Sequence, residues 1–456
     1  MKTTLLKDSG RRARAPGGIS RIGVLGTAVV VLSLVALGAP SASATAHHPF
    51  ASSAKTTITW WASPISAGTP GGPDLRNVLV AAFEKAYPNI TVKIQTAPSN
   101  TDTNRATLVT TISGGATSPD VFMGDVIWPG QFGAHQLALP LTKYEPASFW
   151  SRFASGLVAG ATYKGQVYGA PFFQDQGFLY YRTDLLKAAH MAVPKTWEQL
   201  ESDAATLVKQ AKVKYGFVWE GASYEGGTCD FMEYYSDTGG TVLNSTDSAS
   251  TLNVPDVTKT LRFMRSLVTS GASPAAVDTF QETQVMNAFA DGDAAFMRNW
   301  DYGYSASQAT GSKVIGKVAV APLPTFAGEP YPGYSNIGGW NLYINPHSTN
   351  VPADLDFINF ITGTKAQTIE ATPPFSEIPT NAAVRAMPSI KKESPPFAVL
   401  SQTKLVPRPA QNPNYPKISQ AIYTNMNSAI SGSSSPSAAA NAMASQLKSA
   451  LSSSGL

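Results

Sequence analysis

One cysteine, Cys229, is all the thiol chemistry the sequence offers, so a disulfide framework and a Cys-ligated metal site within one chain are both excluded. Histidine is scarce too. The five (His47, His48, His135, His190, His347) are scattered, with no HExxH or other paired spacing for zinc. No GxSxG elbow, GxxxxGK[ST] loop or strand-following GxGxxG is present, so serine-hydrolase and phosphate-cradling chemistries lack their loops. Charged residues make up only 14% of the chain. The formal net charge of +4 comes from the start of the chain: residues 1–44 hold Lys2, Lys7, Arg11, Arg12, Arg14 and Arg21 against Asp8, leaving 28 basic and 29 acidic residues beyond. A near-neutral body without a basic block has no electrostatic footprint for nucleic acid or anionic membrane.

Only one apolar run is long. Ile22–Leu37 follows a basic stretch and precedes the small-residue patterns Ala42-Ser43-Ala44 and Ala44-Thr45-Ala46, which reads as a cleavable export signal over 1–44. Residues 45–54 are then expected to form a disordered mature N-terminus. An uncleaved anchor and a twin-arginine route through Arg11-Arg12 remain open. No cysteine lies at the cleavage region, which excludes a lipoprotein-type anchor.

With 456 residues the chain has length for two or three domains, and 43% hydrophobic residues give it a core. Thr57–Ala62 is strand-like; Leu75, Val78, Leu79, Ala82, Phe83 and Ala86 fall at helical spacing; Ile90–Gln95 is strand-like again. Such a strand, helix, strand order implies a parallel sheet with crossovers, and an α/β first lobe. A further helix is expected over 103–113 and a buried strand at Asp120–Met123. Thr196 with Gln199 forms a capping-box signal, and helical patterning fits 255–269, 283–290 and 352–360. At the end, Ser435 and Pro436 start a stripe of Ala440, Met443, Leu447 and Leu451, either a helix or a frayed tail.

Aromatics recur beside single carboxylates and glycines: Trp60-Trp61, Trp128, Phe172-Phe173-Gln174-Asp175-Gln176-Gly177, Trp219-Glu220-Gly221, Tyr224-Glu225-Gly226, Asn299-Trp300-Asp301-Tyr302 and Gly338-Gly339-Trp340. A pyranose has a C–H-rich face that packs on an aromatic plane and a rim of hydroxyls that suits Asp, Glu, Arg and Asn. Each tryptophan taken alone is more often core packing than a ligand platform, and Cys229 reads as an inert buried thiol.

In segments such as PDLRNVLVAAFEKAYPNITVKI, SPDVFMGDVIWPGQFGAHQLALPL, KGQVYGAPFFQDQGFLYYRTDLLKAA, DAAFMRNWDYGY, SNIGGWNLYIN and VPRPAQNPNYPKIS, the chain from Thr57 to Ser428 resembles the extracellular solute-binding proteins of sugar ATP-binding-cassette importers, most closely their trehalose/maltose-binding branch. The resemblance implies an α/β, two-lobe periplasmic-binding-protein-like fold with a hinge and an inter-lobe ligand cleft. Lobe 1 would be 55–176 plus 335–378 and lobe 2 177–334 plus 379–456. It further implies sugar contacts from Asp125 and Asp175 as acceptors, Arg105 and Arg408 as donors, Trp300 and Tyr302 as an aromatic platform, and Gly339 with Trp340 as a third wall. Asp74 stands where relatives carry a longer Glu, and Tyr224 and Glu225 match a family motif as support or as direct ligands. PPFSEIPTN departs from the branch pattern, leaving the sugar open. The implied activity is extracytoplasmic capture of an α-linked glucose disaccharide by a monomer that meets membrane permease subunits. No cofactor, metal, enzyme activity or nucleic-acid partner is implied. Two rivals use the same residue types: a secreted glycoside hydrolase with Asp125 and Asp175 as its carboxyl pair, and a polysaccharide-docking surface protein.

Overall fold

The computed structural model describes residues 55–65 and 72–453; the expected export signal and the lead at 45–54 lie outside them. Among the described residues no helix is long and apolar enough to cross a membrane.

The opening pattern folds as the spacing predicts. Strand β1 (Thr56–Ala62), a helix Leu75–Ala86, β2 (Ile90–Thr96), a helix Thr101–Ser113 and β3 (Val121–Asp125) follow in order. β1 pairs in parallel with both β2 and β3. After a short hairpin of β4 (Thr162–Tyr163) and β5 (Gln166–Val167), β6 (Ala170–Gln176) belongs to the same sheet as β1. Gly177 alone separates it from β7 (Phe178–Arg182), which belongs to a second sheet with β8 (Tyr215–Val218), β9 (Ala294–Asn299) and β10 (Val318–Ala321). The chain returns to the first sheet as β11 (Tyr334–Ile344), adds β12 (Ile378–Pro379) at its edge, and pairs β13 (Lys404–Val406) with the start of β11.

The first sheet is mixed instead of parallel, because β11 enters from the second half and runs antiparallel to both β3 and β6. The two sheets carry separate cores, giving the two-lobe α/β architecture. One core gathers Ile58, Trp60, Phe83, Phe172 and Phe357; the other gathers Trp197, Trp219, Phe231, Ile418, Met426, Met443 and Leu447. Trp60 meets Phe172 and Phe357 edge-on at 6.2 and 5.1 Å. Several aromatics in the repeated aromatic–carboxylate pattern are therefore core: Trp60, Phe172 and Trp219 have no exposed surface. The N-caps hold at Thr196 and Ser435, whose side chains accept from Gln199 N and Ala438 N, but the capping box is incomplete because Gln199 Oε1 accepts from Lys195 N instead of Thr196 N; the chain end is the helix Pro436–Leu451 instead of a frayed tail.

Polar groups tie the segments together. Asp120 accepts from Thr59 N (2.8 Å) and Asn350 Nδ2 (3.0 Å), and Ser348 Oγ lies 2.6 Å from Asp354 Oδ2. Burial, aided by the charge of Asp120 and opposed by the Ser348 hydrogen bond, pushes the Asp354 pKa up to about 8. An aspartate raised in the folded state stabilises below its unfolded pKa and loses that contribution as pH rises through the folded value. Asp354→Asn should therefore gain on the parent by a few kcal/mol between about pH 4 and pH 8, read by urea unfolding across that range; a constant difference between the two proteins would contradict it.

Candidate functional site

The ends of β3 and β13 approach each other, and there Asp125 meets Arg408. Arg408 sits between Pro407 and Pro409, whose fixed φ angles limit the backbone freedom of the segment. Its Nη2 lies 3.0 Å from Asp125 Oδ1 and its Nη1 2.8 Å from Glu225 Oε1. Glu225 opens the wholly buried helix Glu225–Asp237 and is also held by Tyr415 Oη (2.5 Å) and Ser419 Oγ (2.6 Å). Its backbone N–H donates to Asp102 Oδ2 at 3.1 Å, and Asp125 Oδ2 accepts from Thr101 Oγ1 at 3.3 Å. One guanidinium thus joins the end of the first sheet to the helix Glu225–Asp237. Burial raises the Glu225 pKa to about 7; Asp102 and Asp125 push it up, while Arg408 and Ser419 oppose. Arg408 Nε is buried and has no hydrogen-bond partner.

Asp175 lies at the end of β6 and is 8% exposed. Burial first, then the carboxylates of Asp301 and Asp125, drive its pKa well up, and Arg408 partly offsets them. Its Oδ1 also lacks a hydrogen-bond partner. Beside it is Trp300, 7% exposed, whose ring carries the Arg298 guanidinium at 4.0 Å from its centroid. Arg298 is itself pinned by Glu220, Asp230 and Glu233 at 2.7–2.8 Å. A Cβ at Gly338 would sit 2.8 Å from the Trp300 ring and 3.0 Å from Asp175 Cβ, so the missing side chain lets β11 close on both.

The other nominated residues are placed less uniformly. Trp340 pairs across β11 with both Asp125 and Phe173, is half-buried, and meets Trp128 edge-on at 6.4 Å. Gly339 has φ +118°, with Phe173 O 2.4 Å from where a Cβ would be, and its carbonyl accepts from Val126 N. Tyr302 is half-buried, its pKa raised chiefly by burial. Arg105 donates to Gln131 Oε1 at 3.3 Å. Asp74 is engaged locally: it caps the helix Leu75–Ala86 through Arg76 N and makes an ion pair with Arg76 at 2.5 Å. Tyr224 donates to Glu220 Oε2 at 3.1 Å.

Asp102, Tyr415 and Ser419 were not singled out from the sequence. The one available signal was the four-residue spacing of Tyr415 and Ser419, which puts them on one face of the helix Tyr415–Ser431. A cavity of about 870 Å³ opens between residues 154–161, the loop 240–247, β11 and 405–411. Arg408 borders it, whereas Asp125, Asp175, Trp300, Tyr302 and Trp340 do not.

The sequence matches a family model described as bacterial extracellular solute-binding protein over residues 66–368. It is 34% identical over 366 residues to a probable ABC transporter-binding protein of Deinococcus radiodurans, spanning 78% of this chain and 86% of that one. A solved structure of maltose-bound MalE3 of T. maritima is similar at 31% identity and TM-score 0.78, covering 86% of this chain and 99% of the other. The GacH receptor of Streptomyces glaucescens shares the fold at TM-score 0.76 and 24% identity, over 87% and 98% of the two chains.

Removing Arg408 would leave Asp125 and Glu225 buried without their cation. Arg408→Met should lower stability by about 3–5 kcal/mol at pH 8. The loss should shrink at pH 5, where Glu225, its pKa no longer held down by the guanidinium, is protonated in the fold. Urea unfolding at both pH values checks this; an equal loss at the two would contradict it.

Proposed function

Since the chain belongs to the bacterial extracellular solute-binding proteins, we propose that it is the extracytoplasmic receptor of an ATP-binding-cassette importer, capturing an α-linked glucose disaccharide of the trehalose or maltose type by lobe closure. The observation that carries this reading is a pair of orphaned, buried polar atoms near two tryptophans: the donor Arg408 Nε and the acceptor Asp175 Oδ1. A sugar hydroxyl both donates and accepts, so a hydroxyl rim answers both needs, and indole planes suit the C–H faces of the rings. The maltose in the MalE3 structure supports the disaccharide class.

In this reading Asp125, Asp175, Arg105 and Arg408 hydrogen-bond the sugar, Trp300, Tyr302 and Trp340 pack on it, and Gly339 allows close backbone approach. Asp74 contributes only by releasing Arg76. Lobe 1 is 55–176 plus 335–378 and lobe 2 is 177–334 plus 379–456, in keeping with the switch of sheets across Gly177. The ligand must contact both lobes, because one that binds open and closed forms equally shifts nothing. Closure also excludes water from the carboxylate–hydroxyl bonds and strengthens them. Micromolar affinity is about −8 kcal/mol, within reach of about two dozen heavy atoms at roughly 0.3 kcal/mol each. The closed form is what permease subunits would engage, after export by a cleaved signal at 1–44.

A thermal-shift and calorimetry panel of trehalose, maltose, sucrose, glucose and mannitol tests the ligand. A disaccharide of the first two should raise the melting temperature, bind at micromolar Kd and be recovered intact; a panel with no response to any disaccharide, or with mannitol binding best, would refute the assignment. Trp300→Ala should weaken the responding sugar about 100-fold or more, about 3 kcal/mol, in a protein with unchanged circular dichroism. Unaltered affinity in that folded variant removes Trp300 from the site.

A further inference from the structure

Three carboxylates meet where the two sheets join. Asp175 closes β6, Asp301 follows β9 of the other sheet, and Glu377 directly precedes β12. Each offers one oxygen, and these oxygens all lie within 4.8 Å of one another. The three residues are buried, Asp175 and Glu377 at 8% and 5% exposure. Asp175 Oδ1 and Glu377 Oε2 are buried without a hydrogen-bond partner, and both residues belong to the cluster. Asp301 is oriented from both sides, its oxygens accepting from Gln176 N at 3.3 Å and Ile378 N at 3.1 Å.

Two other buried carboxylate groups nearby have a cation: Arg408 for Asp125 and Glu225, Arg298 for Glu220, Asp230 and Glu233. Among the described residues no lysine, arginine or histidine makes an ion pair with Asp175, Asp301 or Glu377, and the buried Glu370 nearby, with both oxygens unpartnered, adds to their repulsion. Burial of several carboxyl groups together is unfavourable unless protons or a cation neutralise them.

We propose that Asp175, Asp301 and Glu377 form a binding site for a divalent cation of the calcium class at the junction of the two sheets. An all-oxygen donor set selects a hard cation over zinc or copper. Calcium takes several protein carboxylates at about 2.3–2.6 Å in flexible geometry, whereas magnesium usually keeps several waters and binds through one or two carboxylates, so three protein carboxylates favour the larger ion. A bound cation would tie the end of β6, the segment after β9 and the entry to β12 to one point, fixing the strands that pass between the lobes. Asp175 is shared with the proposed sugar site, but the cation site rests on carboxylate geometry and is read without any sugar.

The test uses the full mature chain. Protein prepared without chelator is analysed for bound metal, then stripped with EDTA, dialysed and titrated with calcium chloride or magnesium chloride in a calorimeter and a thermal-shift assay. The expected result is saturable calcium binding at one site per chain and a rise of about 3 °C in melting temperature in 1 mM calcium, as mass action gives about a hundredfold above Kd. Magnesium should give a smaller rise, and Glu377→Gln, which keeps the shape and removes the charge, should abolish the calcium response. No calorimetric binding and no shift with either ion would overturn the proposal, as would a magnesium response equal to that of calcium. The calorimetry on the unmodified protein decides the matter even if the variant fails to fold.

Discussion

Burying carboxylates at the junction of two sheets is the constraint on which the rest of this molecule depends. Backbone N–H groups of the connecting strands are satisfied by acids: Gln176 and Ile378 by Asp301, Asn336 by Glu233, Tyr334 by Asp237. Such charge-assisted bonds hold strands that leave one ladder before joining another. Each acid taken from water then needs neutralising. Arg298 does this for three carboxylates and at the same time supplies the cation under the Trp300 ring. Arg408 does it for two, linking the end of β3 to the buried helix Glu225–Asp237.

This arrangement couples structure to capture. The groups that hold the lobes together are the ones the ligand would have to engage, so a sugar that bonds Arg408 and Asp175 acts directly on the contacts between lobes. Trp300 is held between a pinned guanidinium and the bare backbone of Gly338, which would lower the entropy lost by a ring stacking on it in the proposed reading. The cavity of about 870 Å³ is bordered by Arg408, so this side chain is a point where the charge cluster and an open volume meet.

The fold was legible where one periodicity dominated. Leu75, Leu79 and Phe83 are buried at helical spacing, and the βαβ order of residues 56–96 followed from the alternation of patterns. The direction of β11 was not legible, because Tyr334–Ile344 reads the same whether paired parallel or antiparallel; only its entry from the other sheet fixes it. At the site, the aromatic–carboxylate pattern covers residues at the sheet junction and residues of the cores alike. Trp60 and Trp219 carry the same local signature as Trp300, and nothing within ten residues distinguishes a ring that fills a core from one set at a junction. Asp74 is engaged locally, because Arg76, two residues on, pairs with it.

By itself the sequence determined element types, caps and a list of chemically suitable residues, since these depend on neighbours a few positions away. Which of those residues meet was decided by tertiary structure, because Asp125, Glu225 and Arg408 lie 100 to 283 positions apart along the chain. Only the joining of two separately formed sheets brings their charges within 3.0 Å, and only burial at that joint makes the pairing obligatory.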